Sequence, residues 1–215
     1  ILSLLNPSTY TGNTIVNQGV LQLHAASSLA SPVIDLKYGA VLRVTAFGSP
    51  YEIPANRTLT GVGTVDGNLV NRGIIAPAPS AQTPLAFSGN LSLAAGSELH
   101  ISIKPSLALP LVSSIKTTGI LEITSGTRLK ISTGNPPAGF WSEPRTFTIA
   151  TAASFAGNYA ASKPLAVESD LSGGSWGIHY GESSISIRWN PAGPLQLWRE
   201  SHFGIGGSNG EAADL

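Results

Sequence analysis

The sequence predicts an all-β fold assembled coil by coil, as in a β-solenoid. The first of two observations that predict it is a set of five glycines, each standing shortly before a leucine or an apolar pair: Gly19, Gly39, Gly73, Gly96 and Gly126. Their spacings are 20, 34, 23 and 30 residues. Imperfect repeats of this period are typical of stacked coils, because one coil cannot bury its apolar face alone. The second observation is the alternation of apolar and polar residues along most of the chain, the pattern of strands with one buried face.

The alternation predicts strands in at least two-fifths of the chain, mostly parallel, around one continuous core. An antiparallel sandwich is the alternative, since its turns recur about every 8 to 12 residues. Turns such as 17–19 and 88–90 separate the strands, and we expect their glycines to supply positive φ angles. The residues predicted to point into the core are Val16, Leu21, Leu23, Leu36, Leu42, Val44, Leu69, Ile75, Leu91, Leu93, Leu99, Ile101, Leu121 and Ile123.

The chain divides into three predicted parts. Residues 1–135 form solenoid rungs, residues 136–193 form C-terminal capping rungs, and residues 194–215 form a short terminal clamp or linker. With 24 glycines and 15 prolines, long helices are not expected before residue 190. In the last part, Leu195, Trp198 and Phe203 either line one face of a short helix or clamp the end of the rod.

Composition narrows the classes of function. Only 11% of the residues are charged, against about 25% in ordinary globular proteins, and 12 basic residues balance 12 acidic ones. This charge balance gives no basis for binding nucleic acid. Cysteine is absent, so neither disulfides nor thiolate metal sites are expected. The chain begins at Ile1 without methionine, which indicates a processed or excised piece that has lost any secretion signal. Its apolar runs are too short to span a membrane.

Three segments resemble a known repeat family. Residues 7–23 read PSTYTGNTIVNQGVLQL, residues 59–77 contain LTGVGTV and GIIAP, and residues 147–189 carry FAG and IHY in order. The first segment is similar to the autotransporter-associated β-strand repeat, and the second resembles the rung that often follows it. The third is similar to the closing segment of passenger domains that carry this repeat. The resemblance implies a right-handed parallel β-helix that is secreted, either extracellular or on the cell surface, as a stalk, adhesin or surface-layer component.

The sequence contains only weak matches to catalytic or metal-binding motifs. Residues 173–177 match the G-x-S-x-G pattern of serine hydrolases, but an alternating strand follows them where a helix is required, which indicates a glycine-rich turn. The carboxylates are scattered, and Glu168 and Asp170 are the closest pair of interest. Four histidines are widely spaced, without the pattern of metal ligands: His24, His100, His179 and His202. We therefore predict no enzyme activity, no catalytic residues, no cofactor and no metal.

The N-terminal segment predicts self-assembly. Ile1, Leu2, Leu4 and Leu5 are apolar and strand-like, and no charged side chain precedes Asp35. A strand edge without charge is a template for pairing, so the segment should pair either with its own first rung or with the open end of a neighbouring copy. The leading hypothesis is a non-enzymatic extracellular structural protein, a stalk or fibre subunit whose partner is another copy of itself.

Aromatic residues support an alternative hypothesis. Rings concentrate in the last 80 residues, and Trp141, Trp176, Tyr180 and Trp198 are candidates for a surface that stacks on glycans or another partner. The protein would then be a polysaccharide-binding or adhesive module, or, as a third option, a carbohydrate-active enzyme. The competing interpretation is that these rings close the open end of the β-helix, where apolar surface would otherwise meet water.

Overall fold

The structure, a computed structural model, describes residues 1–81, 83–157, 159–194 and 202. These residues form 22 strands in three sheets, numbered here along the chain. Helical structure in the described residues consists of α1 (Tyr159–Ser162), a 3-10 turn at Phe140–Ser142 and the single helical residues Pro194 and His202. The predicted helix or clamp at 194–203 lies almost entirely outside the described residues.

Sheet A has nine strands and is the largest. In spatial order they are β1 (Leu2–Leu4), β3 (Gly19–His24), β5 (Ala40–Ala46), β8 (Thr64–Asp66), β11 (Leu85–Phe87), β15 (Ile115–Thr117), β18 (Arg145–Thr151), β22 (Ser184–Pro191) and β21 (Gly174–Tyr180). The strands from β1 to β18 are parallel, whereas β22 is antiparallel to both β18 and β21.

Sheets B and C are built from parallel strands, with one exception. The path of sheet B is β2 (Thr14–Val16), β4 (Val33–Leu36), β7 (Thr58–Gly61), β10 (Ile74–Pro77), β13 (Glu98–Lys104), β17 (Thr127–Thr133) and β20 (Leu165–Ser169). The exception is β14 (Leu111–Val112), which pairs antiparallel with the end of β13. Sheet C runs β19 (Ser154–Phe155), β16 (Ile120–Ile123), β12 (Leu91–Leu93), β9 (Leu69–Asn71) and β6 (Tyr51–Ile53).

The chain visits the three sheets in a repeating order. From β5 to β20 it passes from sheet A to sheet C to sheet B five times, and before β5 it alternates between sheets A and B. Strands that are neighbours in a sheet therefore come from successive circuits of the chain. The sequence prediction of an all-β, mostly parallel structure is confirmed, and the antiparallel sandwich is not observed.

The core is made of side chains that stack in register. In sheet B the residues facing one another on successive strands are aliphatic, and each is at most 1% exposed: Ile34, Leu59, Ile75, Leu99 and Leu129. Burying each of these side chains stabilises the fold by about 1.5–3 kcal/mol. Of the fourteen residues predicted to lie in the core, all but Val16 are buried, and Val16 packs half-buried against the same cluster.

The corner between sheets A and C depends on three stacked glycines, Gly67, Gly89 and Gly119. A Cβ on Gly89 would lie 2.6 Å from the carbonyl carbon of Gly67, and one on Gly119 would lie 2.7 Å from the carbonyl oxygen of Gly89. Gly67 has a positive φ of 129°, as expected for such a turn, but Gly89 does not. Our expectation of a positive φ at Gly89 was therefore wrong, because what excludes a side chain there is the close approach of the preceding corner.

Two asparagine side chains tie the same corners together. The Oδ1 of Asn68 accepts a hydrogen bond of 2.8 Å from the backbone N–H of Asn90. The Oδ1 of Asn90 in turn accepts one of 2.9 Å from the N–H of Ile120. Each amide satisfies a backbone donor of the next circuit, so the corner is linked by hydrogen bonds as well as by packing.

We expect Gly89→Ala to destabilise the protein by about 1–3 kcal/mol, the usual cost of forcing an extra methyl into a packed site. The measurement is the free energy of unfolding in denaturant. Gly48→Ala is the matched control, because a Cβ at Gly48 meets no atom within 4 Å. An equal effect of the two substitutions would contradict the role assigned to the glycine stack.

Candidate functional site

The N-terminal segment forms an edge of sheet A. Strand β1 pairs in parallel with β3, so that Leu2 lies opposite Leu21 and Leu4 lies opposite Leu23. Of the two pairings expected from the sequence, the structure contains the one within the chain. The other side of β1 is the outer edge of the sheet.

This edge leaves large apolar side chains in solvent. Ile1 is 83% exposed, Leu2 64% and Leu5 59%, while Leu4 is half-buried against the core. Ordinary sheet edges carry charges, prolines or bulges that prevent further pairing. The segment from Ile1 to Leu5 contains none of the charged or proline residues that serve this purpose, so its edge is open to another strand.

A cleft of about 520 Å³ lies beside β1. Its apolar lining comes from three strands and the residue before them: Ile1, Leu2, Leu4, Ile15, Val16, Val20 and Leu21. No side chain lining this cleft, as the structure describes it, is charged. The cleft therefore extends the apolar surface of the β1 edge rather than interrupting it.

The neighbouring edge, that of sheet B, has polar contacts at its first residue, Thr14. Thr14 of β2 lies opposite Ile34, at the end of the aliphatic stack. Its Oγ1 shares hydrogen bonds with the Ser31 hydroxyl at 2.6 Å and with the Tyr10 hydroxyl at 2.5 Å. A threonine with satisfied hydrogen bonds replaces the aliphatic residue that would otherwise face water. Beyond Thr14 this edge also carries apolar side chains, since Ile15 is 56% exposed and Val16 is half-buried, so the apolar surface at this end extends from sheet A onto β2.

The aromatic residues of the C-terminal part form a packed cluster. Trp141 contacts Trp176 and Trp189 with ring centroids 5.7 and 5.8 Å apart, and Trp176 and Trp189 lie 5.4 Å apart. The Nε1 of Trp189 donates to the carbonyl of Trp141 at 2.8 Å. Phe147 joins the cluster at 6.0 Å from Trp141. These rings bury one another around the end strands of sheet A.

The structure describes three of the four residues of the predicted aromatic surface, Trp141, Trp176 and Tyr180. The planes of Trp141 and Trp176 are inclined at 75°, and both rings are half-buried, so they do not form a coplanar platform. Tyr180 packs 6.1 Å from Tyr159, and its hydroxyl accepts the N–H of Leu165 at 3.3 Å. Burial raises the pKa of the Tyr180 phenol. Trp198 lies outside the described residues, and glycan binding stays a prediction.

A cluster of charged residues on sheet B was missed by the sequence analysis. Glu98, only 12% exposed at its side chain, contacts His100 at 2.6 Å, Lys130 at 3.1 Å and Arg128. The hydrogen bond from His100, with those from Lys130 and Arg128, lowers the pKa of Glu98 to about 2. The sequence did contain a signal for this cluster. Aligning the repeated segments Gly96–Leu99 and Gly126–Leu129 places Glu98 opposite Arg128, as the structure shows.

Three of the remaining candidates, His100, Glu168 and Asp170, line one cleft of about 420 Å³ on sheet B together with Lys130. Glu168 lies 3.9 Å from Lys130, whereas both Asp170 carboxylate oxygens accept the Thr133 N–H at 3.0 Å. Ser175 lies within strand β21 rather than at a turn between strand and helix, as a nucleophile elbow requires. Within the described ranges, no three His, Asp or Glu side chains are grouped to hold a metal ion, and no helix is long and apolar enough to cross a membrane.

We expect Glu98→Gln to destabilise the protein by about 1–2 kcal/mol at pH 7, since charge-assisted hydrogen bonds of a carboxylate are lost. The contribution of Glu98 is complete above its unfolded pKa of about 4.5 and is lost as the pH falls toward 2. The gap in unfolding free energy between wild type and variant should therefore close over this range.

Glu52→Gln is the matched control, because the ion pair of Glu52 with Arg72 is solvent-exposed. Its effect should stay below about 0.5 kcal/mol, as for other exposed pairs. A Glu98→Gln gap that is unchanged between pH 5 and pH 2.5 would contradict the assignment.

Comparison with known proteins adds no relative. No protein-family model, no curated protein sequence and no solved structure matches this chain. The resemblance to the autotransporter-associated repeat therefore rests on the three quoted segments and stays a prediction.

Proposed function

We propose that this protein is a non-enzymatic extracellular structural protein, a β-solenoid stalk or fibre subunit that assembles end to end. The observation that carries the proposal is the apolar, uncharged edge of sheet A at Ile1, Leu2, Leu4 and Leu5. An edge of this kind pairs with another strand when one is within reach. A contact between two different surfaces of identical subunits that does not close into a ring generates a filament.

The architecture supports a rod. The repeated passage through sheets A, C and B, with parallel neighbours in register, is the arrangement expected of the right-handed parallel β-helix that the repeat resemblance implies. In such a rod each circuit contacts only its neighbours, and the two ends are the natural places for joining. The low charge and the absence of cysteine fit the secreted, Ser- and Thr-rich surface proposed here.

The described residues support a structural role for the protein rather than a catalytic one. Glu98 is engaged by three basic side chains, and the cluster on sheet B holds its carboxylate in ion pairs instead of presenting it to a substrate. The aromatic rings pack against one another at steep angles. A polysaccharide-binding or adhesive module remains the alternative proposal, and it becomes the better account of the protein if no assembly is found.

Electron microscopy of the purified chain tests the proposal directly. We expect filaments, and we expect sedimentation velocity to show oligomers that grow with protein concentration. A chain that stays monomeric at high concentration would overturn the proposal in favour of a monomeric stalk or binding module.

Deleting residues 1–5, or introducing Leu2→Lys together with Leu4→Lys, should abolish filaments while circular dichroism still reports a β-rich protein. The physical reason is that the deletion removes the joining strand, and the lysines place charge on an edge that must be desolvated to pair. The measurement is filament formation in electron micrographs at matched protein concentration.

The matched control is Leu107→Lys with Leu109→Lys. These leucines are 71% and 59% exposed, close to the 64% of Leu2, but lie between β13 and β14. This variant should still form filaments. If both lysine variants lose them equally, general surface apolarity and not the β1 edge drives assembly.

A further inference from the structure

The two outer edges of sheet A have matching polarity. Strands β1 to β18 are parallel, β22 runs antiparallel to β18, and β21 runs antiparallel to β22. Two reversals restore the original direction, so β21 runs parallel to β1. A β1 strand from another copy can therefore be added to β21 as one more parallel strand of the same sheet.

Both edges also place apolar side chains on the side that faces the core. In β1 these are Leu2 and Leu4, which lie opposite buried leucines of β3. In β21, Ile178 and Tyr180 lie opposite the buried Ile187 and Ile185 of β22. The β21 side chains are only half-buried, as they would be if a further layer of core belonged on top of them.

The edges of sheet A are less protected against further pairing than those of the other two sheets. In sheet B the outer strand β20 carries Glu168, and the other outer strand, β2, begins with the hydrogen-bonded Thr14. In sheet C the outer strand β6 carries Glu52, paired with Arg72, and β19 is only two residues long. Charges and short strands are the usual means of protecting an edge. The β2 edge of sheet B is also free of charge and proline. Among the described strands, sheet A is the one whose two outer strands are both at least three residues long and both contain no Asp, Glu, Lys, Arg or Pro.

We propose that the partner of the β1 edge is strand β21 of a second copy, so that sheet A continues across the junction between subunits. This inference rests on the proposed function and names the surface that receives β1. Because side chains alternate along a strand, the pairing must keep Leu2 and Leu4 on the core side, over residues such as Ile178 and Tyr180. Ser3 then faces outward, beside one of the outward positions of β21, namely Ser175, Gly177 or His179.

The absence of cysteine allows a direct test by disulfide formation. Three double variants combine Ser3→Cys with Ser175→Cys, Gly177→Cys or His179→Cys. Neighbouring strands lie about 4.8 Å apart, within the Cα separation that a disulfide spans. Within one chain, β1 and β21 are separated by eight strand spacings, about 38 Å, so a bond between these positions must join two molecules.

The matched control is Ser3→Cys with Ser132→Cys, because Ser132 is an exposed position on β17 of sheet B. After mild oxidation, at least one of the three test variants should give a ladder of covalent multimers on a non-reducing gel, at least tenfold more than the control. The ladder should collapse to monomer on reduction, and Ser3→Cys alone should give dimers at most. Circular dichroism checks that each variant is folded.

The failure of this inference differs from the failure of the proposed function. Filaments in the micrographs without an excess of multimers over the control would mean that the subunits join elsewhere, which overturns the β1 to β21 pairing alone. Neither filaments nor multimers, from folded variants, would overturn both.

Discussion

Parallel pairing in register between successive circuits is the constraint on which the rest of this structure depends. Because each strand lies directly over its equivalent in the circuit before it, like side chains fall on like: Ile34, Leu59, Ile75, Leu99 and Leu129 form one continuous column. A slip of one residue in any strand would turn its whole apolar face outward. The column and the register therefore stabilise each other, and the hydrophobic core follows from both.

The corners maintain this register. At the turn from sheet A to sheet C, Gly67, Gly89 and Gly119 bring successive backbones closer than a Cβ would allow. Asn68 and Asn90 then each bond to the backbone of the following circuit. A larger residue in the glycine column would separate the circuits at the corner and weaken the strand pairing on both sides of it. The corner thus sets the distance between circuits, while the strands supply the burial.

Period-two patterning was enough to predict the core, because burial of one face of a strand is a local property of the sequence. The charged cluster depended on something else. Glu98 and Arg128 are 30 residues apart, and only the alignment of their circuits brings them together. The same limit applied to Gly89, whose requirement for glycine comes from a neighbouring corner. The antiparallel return of β21 and β22 was not visible in the pattern either, since alternation does not carry strand direction.

Folding order is a consequence of the way the circuits are paired. Most strand pairs join residues from different circuits, such as Leu99 with Leu129, so their formation closes a long loop before any contact compensates for the lost chain entropy. The β21 and β22 pair is the local exception, with Tyr180 and Ile185 facing each other across a short turn. Because its contacts are local, we expect this hairpin, with Trp176 on Trp189, to form early, with the circuits adding one at a time away from it. On such a route the apolar β1 edge is completed last, which leaves the joining surface unformed until the rest of the subunit can support it.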